Sequence, residues 1–184
     1  MKRSILENVL KEVIVLNRIK CSNLIHDITS YFIENKTLFV LMNYFEYERL
    51  DHRLNNFNSR KDNDFVLKAA WLTDLAFALD YLHLHLQAHK MICSHNIYII
   101  PDSERLFLGE IGIKEFANNE DVYMKDYLSP EKNYDLNCDI WSLGCVFYEI
   151  VYLEKPFKFY NKDKKEEDIK YNNKFNIFNE IINK

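Results

Sequence analysis

Apolar residues recur at helical spacing at the start of the chain. Ile5, Val9, Leu10, Val13, Leu16 and Ile19 suit one face of a 3.6-residue repeat and predict an amphipathic helix over Ile5–Lys20. The pattern then changes. Leu24–Ile33 and Thr37–Tyr44 are rich in β-branched and aromatic residues and are separated by Glu34-Asn35-Lys36, which predicts a hairpin. A long helix is predicted over Asp62–His83, with alanine, leucine and tryptophan on its buried side. Two short strands, Asn96–Ile100 and Arg105–Leu108, flank the turn-forming Pro101-Asp102-Ser103. Cys138–Leu153 reads as a strongly apolar, buried helix, and Lys174–Lys184 as a weaker amphipathic one. No internal repeat is visible. This order of elements is an α+β pattern, with most of the helix in the second half.

Composition narrows the picture. The chain has 184 residues, 48% of them hydrophobic, which suffices for one core and predicts a single domain over 1–184. A net charge of -4 gives no sign of a phosphate-backbone or anionic-membrane partner, so neither nucleic acid nor membrane is expected. The most charged stretch, Asn161–Lys170, mixes both signs and reads as a solvated loop. Cys21, Cys93, Cys138 and Cys145 are scattered without a C-x-x-C pair, which predicts reduced core thiols over a disulfide framework or cysteine zinc site. Glu7, Lys11 and Glu12 interrupt the apolar N-terminal run, so it is not read as a signal peptide. Ile140–Leu153 is too short to span a bilayer and carries Glu149. A soluble intracellular protein, cytoplasmic or nuclear, is the expectation.

Two motifs then carry a resemblance. Tyr127-Leu128-Ser129-Pro130-Glu131, followed by Cys138-Asp139-Ile140-Trp141-Ser142-Leu143-Gly144, resembles the A-P-E motif and the D-x-W-x-x-G helix start of eukaryotic protein kinases of the serine/threonine type, closest to the NIMA-related branch. In that register Glu12 stands at the ion-pairing glutamate of the family's C-helix. Leu38–Tyr44 resembles the strand that runs into the hinge, with Met42 at the gatekeeper, and Asn43 and Tyr44 would be the hinge residues if a nucleotide bound. Ala78–His83 resembles the end of the helix before the catalytic loop. The loop itself, H-R-D-x-K-x-x-N in the family, appears as His89-Lys90-Met91-Ile92-Cys93-Ser94-His95-Asn96, and D-F-G appears as Glu110-Ile111-Gly112. The resemblance covers roughly residues 5–160. It implies an incomplete kinase-like fold: a partial upper lobe over 1–45 (C-helix and a two-strand hairpin), a truncated, mainly helical lower lobe over 46–160, and a charged loop and terminal helix over 161–184.

Set against that family, the chemistry is degraded. Phosphoryl transfer is mostly positioning and charge neutralisation. The family's glycine-rich loop and phosphate-gripping lysine lie upstream of the C-helix. The chain as read starts at that helix, and its three glycines, Gly109, Gly112 and Gly144, all lie downstream of the hairpin, so both parts are expected to be missing. Met91 stands at the catalytic aspartate. A thioether cannot take the hydroxyl proton, a function worth about 10²–10⁴ in rate. Cys93 replaces the loop lysine, and Lys90 replaces the arginine, keeping the charge without the bidentate fork. Asn96 and Glu110 hold the two magnesium positions, Glu110 one methylene longer than the family's aspartate. For Asn96 the favoured reading is bonding to nearby backbone, ahead of the ligand role. The segment Glu110–Glu131 has no Ser or Thr before Ser129, so no phosphothreonine switch is available there.

Packing positions persist where chemical ones are lost. Leu16, Ile28, His89 and Ile111 match the family's stacked spine, Asp139 matches its anchor, and Trp141 and Gly144 match the packing of the central helix. The resemblance further implies that Glu131 would pair with an arginine of the family's last lower-lobe helices, which are expected to be missing. The implied function is that of an inactive kinase homologue, a pseudokinase that binds or regulates another protein, with an active kinase among the possible partners. No cofactor is expected. The alternative is a serine/threonine kinase using ATP and magnesium, its lost parts supplied elsewhere. His83, His85, His89, Cys93 and His95 also crowd a short span, which raises a zinc site as a rival.

Overall fold

A computed structural model describes residues 11, 13–14, 28–35, 37–42, 44, 46–57, 64–85, 87–109, 124–130 and 135–156. Of the first predicted helix, only Lys11, Val13 and Ile14 are described. All three are helical, and Val13 is fully buried in the core. The predicted C-terminal helix at 174–184 lies outside the described residues.

The predicted hairpin is present as β1 (Ile28–Glu34) and β2 (Thr37–Met42), paired antiparallel from Ile28↔Met42 to Glu34↔Thr37. Asn35 takes the left-handed conformation the turn requires, at φ 48°, a region asparagine tolerates better than most residues. Strand alternation divides its side chains. Tyr31, Leu38, Val40 and Met42 pack on the core, while Phe32 stacks on its cross-strand partner Phe39 at 4.9 Å on the outer face.

A second, three-stranded sheet runs in the order β3 (Glu48–Arg49), β4 (Ile97–Ile100), β5 (Arg105–Leu108), all antiparallel. Its outer strand β3 leads into a short helix, α1 (Leu50–Asn56), and neither element is marked by periodicity. Seven residues are too few to hold a helix by propensity. α1 is held by burying Leu50 and Leu54 and by its side-chain bonds.

The two long helices are where the hydrophobic pattern placed them. α2 (Phe65–Leu84) begins at Phe65 because Asp64 caps it, accepting from the amides of Val66 and Leu67. Trp71, Leu75, Ala78, Leu79 and Leu82 fill its inner face. Two buried charges lock that face to its neighbours. Asp74 accepts from Arg105 and from the Leu106 amide, tying α2 to β5. Lys68 donates to the Val151 carbonyl at 3.2 Å and lies over the Phe57 ring, tying α2 to the end of α3. α3 (Leu136–Tyr152) starts two residues before its predicted first residue, Cys138, because Asp135 caps it, and it ends at Leu153 in the left-handed region, φ 59°. None of the described helices is long and apolar enough to cross a membrane. The two sheets and three labelled helices make an α+β arrangement, as the order of elements implied.

Candidate functional site

Between α2 and β4 runs the loop 89–96, which carries most of the chemistry-bearing positions singled out from sequence. Its shape is set from below by Asp139, in the first turn of α3 and 1% exposed. One carboxylate oxygen of Asp139 accepts from the His89 amide, the other from the Lys90 amide, both at 2.7 Å. The His83 ring sits 3.0 Å from the same carboxylate, bringing the end of α2 to the same anchor. Lys90 is held at φ 66°, a left-handed conformation that a lysine rarely adopts and that the two flanking bonds enforce.

The imidazole of His89 is fully buried, and its Nδ1 accepts from the Met91 amide at 3.2 Å. Burial pushes its pKa down to about 4, against the upward pull of the Asp139 carboxylate and the Gly109 backbone, so the ring is neutral near pH 7. Met91 is buried at 7% exposure and Cys93 at 3%. Asn96 closes the 3-10 turn Ser94–Asn96. Its amide side chain donates to the Met91 carbonyl at 3.0 Å, its own carbonyl accepts from the Gly109 amide at 2.9 Å, and its backbone N–H donates to Cys93. Gly109 must be glycine for this closeness. A Cβ there would collide with the Asn96 side-chain oxygen and the Tyr98 ring.

A second polar group joins the loop to the rest of the fold. Tyr127 donates its hydroxyl to Glu149 of α3 at 2.6 Å, and Ser94 Oγ lies 2.9 Å from Tyr127 Oη and donates to the other Glu149 oxygen at 3.2 Å. Burial pushes both Tyr127 and Glu149 up from their ordinary values; the hydrogen bonds from Tyr127 and Ser94 only partly offset this for Glu149. A carboxyl whose folded pKa is raised holds its proton more tightly than in the unfolded chain. Its stabilising contribution is therefore full below the unfolded value of 4.5 and is lost as pH rises through the folded value. Glu149→Gln is accordingly expected to gain stability relative to the parent protein as pH rises from 4 to 7, measured by urea unfolding at each pH. A gap that shrinks over that range would refute this.

On the other side of the loop, His95 Nε2 approaches Asp51 of α1 at 3.3 Å, and Arg49 grips the same carboxylate at 2.8 and 2.6 Å. Burial raises the Asp51 pKa, but the Arg49 bond and the neighbouring cationic groups outweigh it and hold the carboxyl below its usual range.

The structure thus brings together His89, Lys90, Met91, Cys93, Asn96 and Asp139. Trp141 sits on the same helix as Asp139, half-buried against the core. Tyr44 does not join them and is 90% exposed. Gly144 lies on the exposed face of α3, where an added methyl meets no described residue within 4 Å. Glu12, Asn43, Glu110 and Glu131 lie outside the described residues. Of the two expected metal positions only Asn96 is described; its side-chain nitrogen donates to the Met91 carbonyl, while the oxygen is the atom that would face a cation. The crowded histidines do not converge. His83 turns to Asp139, His85 to the Tyr81 carbonyl, His89 into the core and His95 to Asp51, and no three potential ligands among the described residues form a metal group. Of the residues that sequence did not single out, Glu149 carries a signal, as a lone carboxylate in an apolar helix. Ser94 and Asp51 carry none.

The protein kinase domain model matches residues 1–183. Serine/threonine-protein kinase Nek5 of Homo sapiens is 33% identical over 159 residues, covering 80% of this chain and 22% of that protein. Serine/threonine-protein kinase Nek1 of Mus musculus is 33% identical over 159 residues, covering 80% of this chain and 13% of that protein. Serine/threonine-protein kinase nekl-2 of Caenorhabditis elegans is 28% identical over 165 residues, covering 82% of this chain and 46% of that protein. The chain spans less than half the length of each of these relatives.

Proposed function

This chain belongs to the protein kinase family, and from that premise we propose that it is a kinase homologue without phosphotransfer of its own, acting as a binding or regulatory module for another protein. One observation carries the reading: the position where the family's resemblance calls for a catalytic aspartate holds Met91, a buried thioether whose carbonyl is tied to Asn96. No acceptor hydroxyl can give its proton to that side chain. Cys93, almost fully buried, offers no positive charge where the loop lysine would stand. The frame of the loop is nevertheless complete, with Asp139 and Asn96 holding its backbone. A surface kept in kinase-like shape while its chemistry is lost suits recognition of a protein partner, an active kinase among the candidates, inside the cell.

The same complete frame favours a second reading, in which the chain transfers phosphate from ATP with magnesium when other parts are supplied. A thermal-shift titration with ATP, with and without magnesium or manganese, separates the two, since a ligand that binds only the native state raises the melting temperature. The expected result is no stabilisation and no transfer of labelled phosphate. Nucleotide-dependent transfer by the purified chain that is lost in Asn96→Ala would reverse the order of the two readings.

A further inference from the structure

Three buried side chains meet where the loop 89–96, the segment 124–130 and α3 come together. Ser94 and Tyr127 are fully buried, and Glu149 is 7% exposed. Each lies within hydrogen-bond distance of both others. Tyr127 Oη is 2.6 Å from one Glu149 oxygen, Ser94 Oγ is 3.2 Å from the other, and the two hydroxyl oxygens are 2.9 Å apart. A closed triangle of oxygens needs one proton in each contact. The two hydroxyls supply one proton apiece. If Glu149 is an anion, both protons point at its carboxylate. The contact between Ser94 and Tyr127 then sets lone pair against lone pair in a buried site. If Glu149 carries a proton, the count is met. The 3.2 Å contact reverses its sense, so that the acid donates to Ser94. Ser94 donates to Tyr127, and Tyr127 donates to the other Glu149 oxygen.

We propose that Glu149 holds a proton at neutral pH and closes a hydrogen-bonded ring with Ser94 and Tyr127, and that loss of this proton is a switch that loosens the loop 89–96 from the segment 124–130. The charged groups around the ring divide. Asp51 on α1, itself held by Arg49 and His95, opposes ionisation of Glu149, and Lys155 favours it. Lys155 is paired with Asp126 at 3.0 Å and lies over the Tyr127 ring, so much of its charge is balanced there. On the loop, the Cys93 thiol is the titratable neighbour of Tyr127. Burial is the largest influence on Glu149, and it favours the neutral acid, as the proton count does. Ionisation leaves Tyr127 on α3. The Ser142 hydroxyl still donates to the Tyr127 carbonyl at 2.8 Å, and the phenol still donates to the carboxylate. What is lost is the bond between Ser94 and Tyr127. Ser94 begins the 3-10 turn that ends at Asn96, so the loop is the part set free. Because the bound form is the protonated one, the ring is closed in acid and opens as pH rises through the folded value of Glu149. The inference does not depend on whether the chain transfers phosphate.

Infrared spectra of the full chain at pH 7 are expected to show the carbonyl stretch of a protonated, buried carboxyl group that is missing from Glu149→Gln. Carbon NMR reads the same state in the parent alone. With glutamate labelled at its carboxyl carbon, one resonance should keep its protonated position at pH 7. Spectra with only ionised glutamates at that pH overturn the proposal. Hydrogen exchange then reads the switch. The Asn96 amide, bonded to the Cys93 carbonyl at 2.9 Å, should lose protection relative to the amides of α2 as pH rises from 6 to 9. The expected loss is about tenfold, the factor that one hydrogen bond is worth. Glu149→Gln should keep its protection throughout, because an amide accepts from Tyr127 and donates to Ser94 at every pH. The same pH response in both proteins overturns the switch.

Discussion

Asp139→Ala is expected to cost about 3–5 kcal/mol of folding stability, the largest loss from any single substitution near the loop. The carboxylate is 1% exposed and satisfies two backbone amides at 2.7 Å each. Removing it strands two buried donors, and each such orphan costs roughly 1–3 kcal/mol. It also frees Lys90 from the bonds that hold it in the left-handed region, at φ 66°. Asp139→Asn keeps one acceptor but turns an amino group toward the other amide, so about half the loss is expected. Urea unfolding reads the stability, and hydrogen exchange at the amides of residues 89 and 90 reads the mechanism. Their protection should fall more than that of α2. If Asp139→Ala unfolds at nearly the parent urea concentration, Asp139 is not the anchor of the loop.

The second large effect lies in the pH dependence. His89 has its pKa depressed from 6.5 to about 4 by burial. For a depressed group the unfolded chain takes up the proton first. The stabilisation is therefore complete above pH 6.5 and is lost as pH falls through about 4. Each pKa unit corresponds to about 1.4 kcal/mol, so the loss by pH 4 is on the order of 3 kcal/mol. For a domain of ordinary marginal stability that is a large fraction of the total. Glu149 works in the opposite direction over its own range, so the comparison must be made between the parent and a His89 variant. His89→Phe keeps the ring volume but leaves the Met91 amide without its acceptor. It should be less stable than the parent at pH 7 and should lose less on going to pH 4.5. Parallel stability curves for the two proteins across that interval would exclude His89 as the acid-sensitive group.

Much of the candidate site was legible because its residues are consecutive. Once the two motifs fix a register, the positions of His89, Met91, Cys93 and Asn96 follow by counting. What each side chain does there does not follow. Asn96 was read as a local backbone hydrogen-bonder ahead of a metal ligand, and the fold shows the backbone bond, from its amide nitrogen to the Met91 carbonyl. The five clustered cysteine and histidine positions raised zinc only as a rival reading, and in the fold they occupy a helix end, a core position and a turn, whose side chains diverge.

The amino-acid sequence alone determined the elements whose signal is local. Alternating β-branched and aromatic residues on either side of Glu34-Asn35-Lys36 specify the hairpin, Asp64 and Asp135 start the two long helices, and Pro101-Asp102-Ser103 turns the chain between β4 and β5. Only the tertiary structure decided which distant groups meet. Asp139 reaches the loop across about fifty residues, Glu149 reaches Ser94 across a similar span, and α1 and β3 exist because other elements bury and pair them. It also decided which face of α2 is buried. The physical reason is the range of the interactions. Periodicity, caps and turns act within a few residues, whereas a buried carboxylate finds its donors, and a helix its covered side, only when the whole chain has packed.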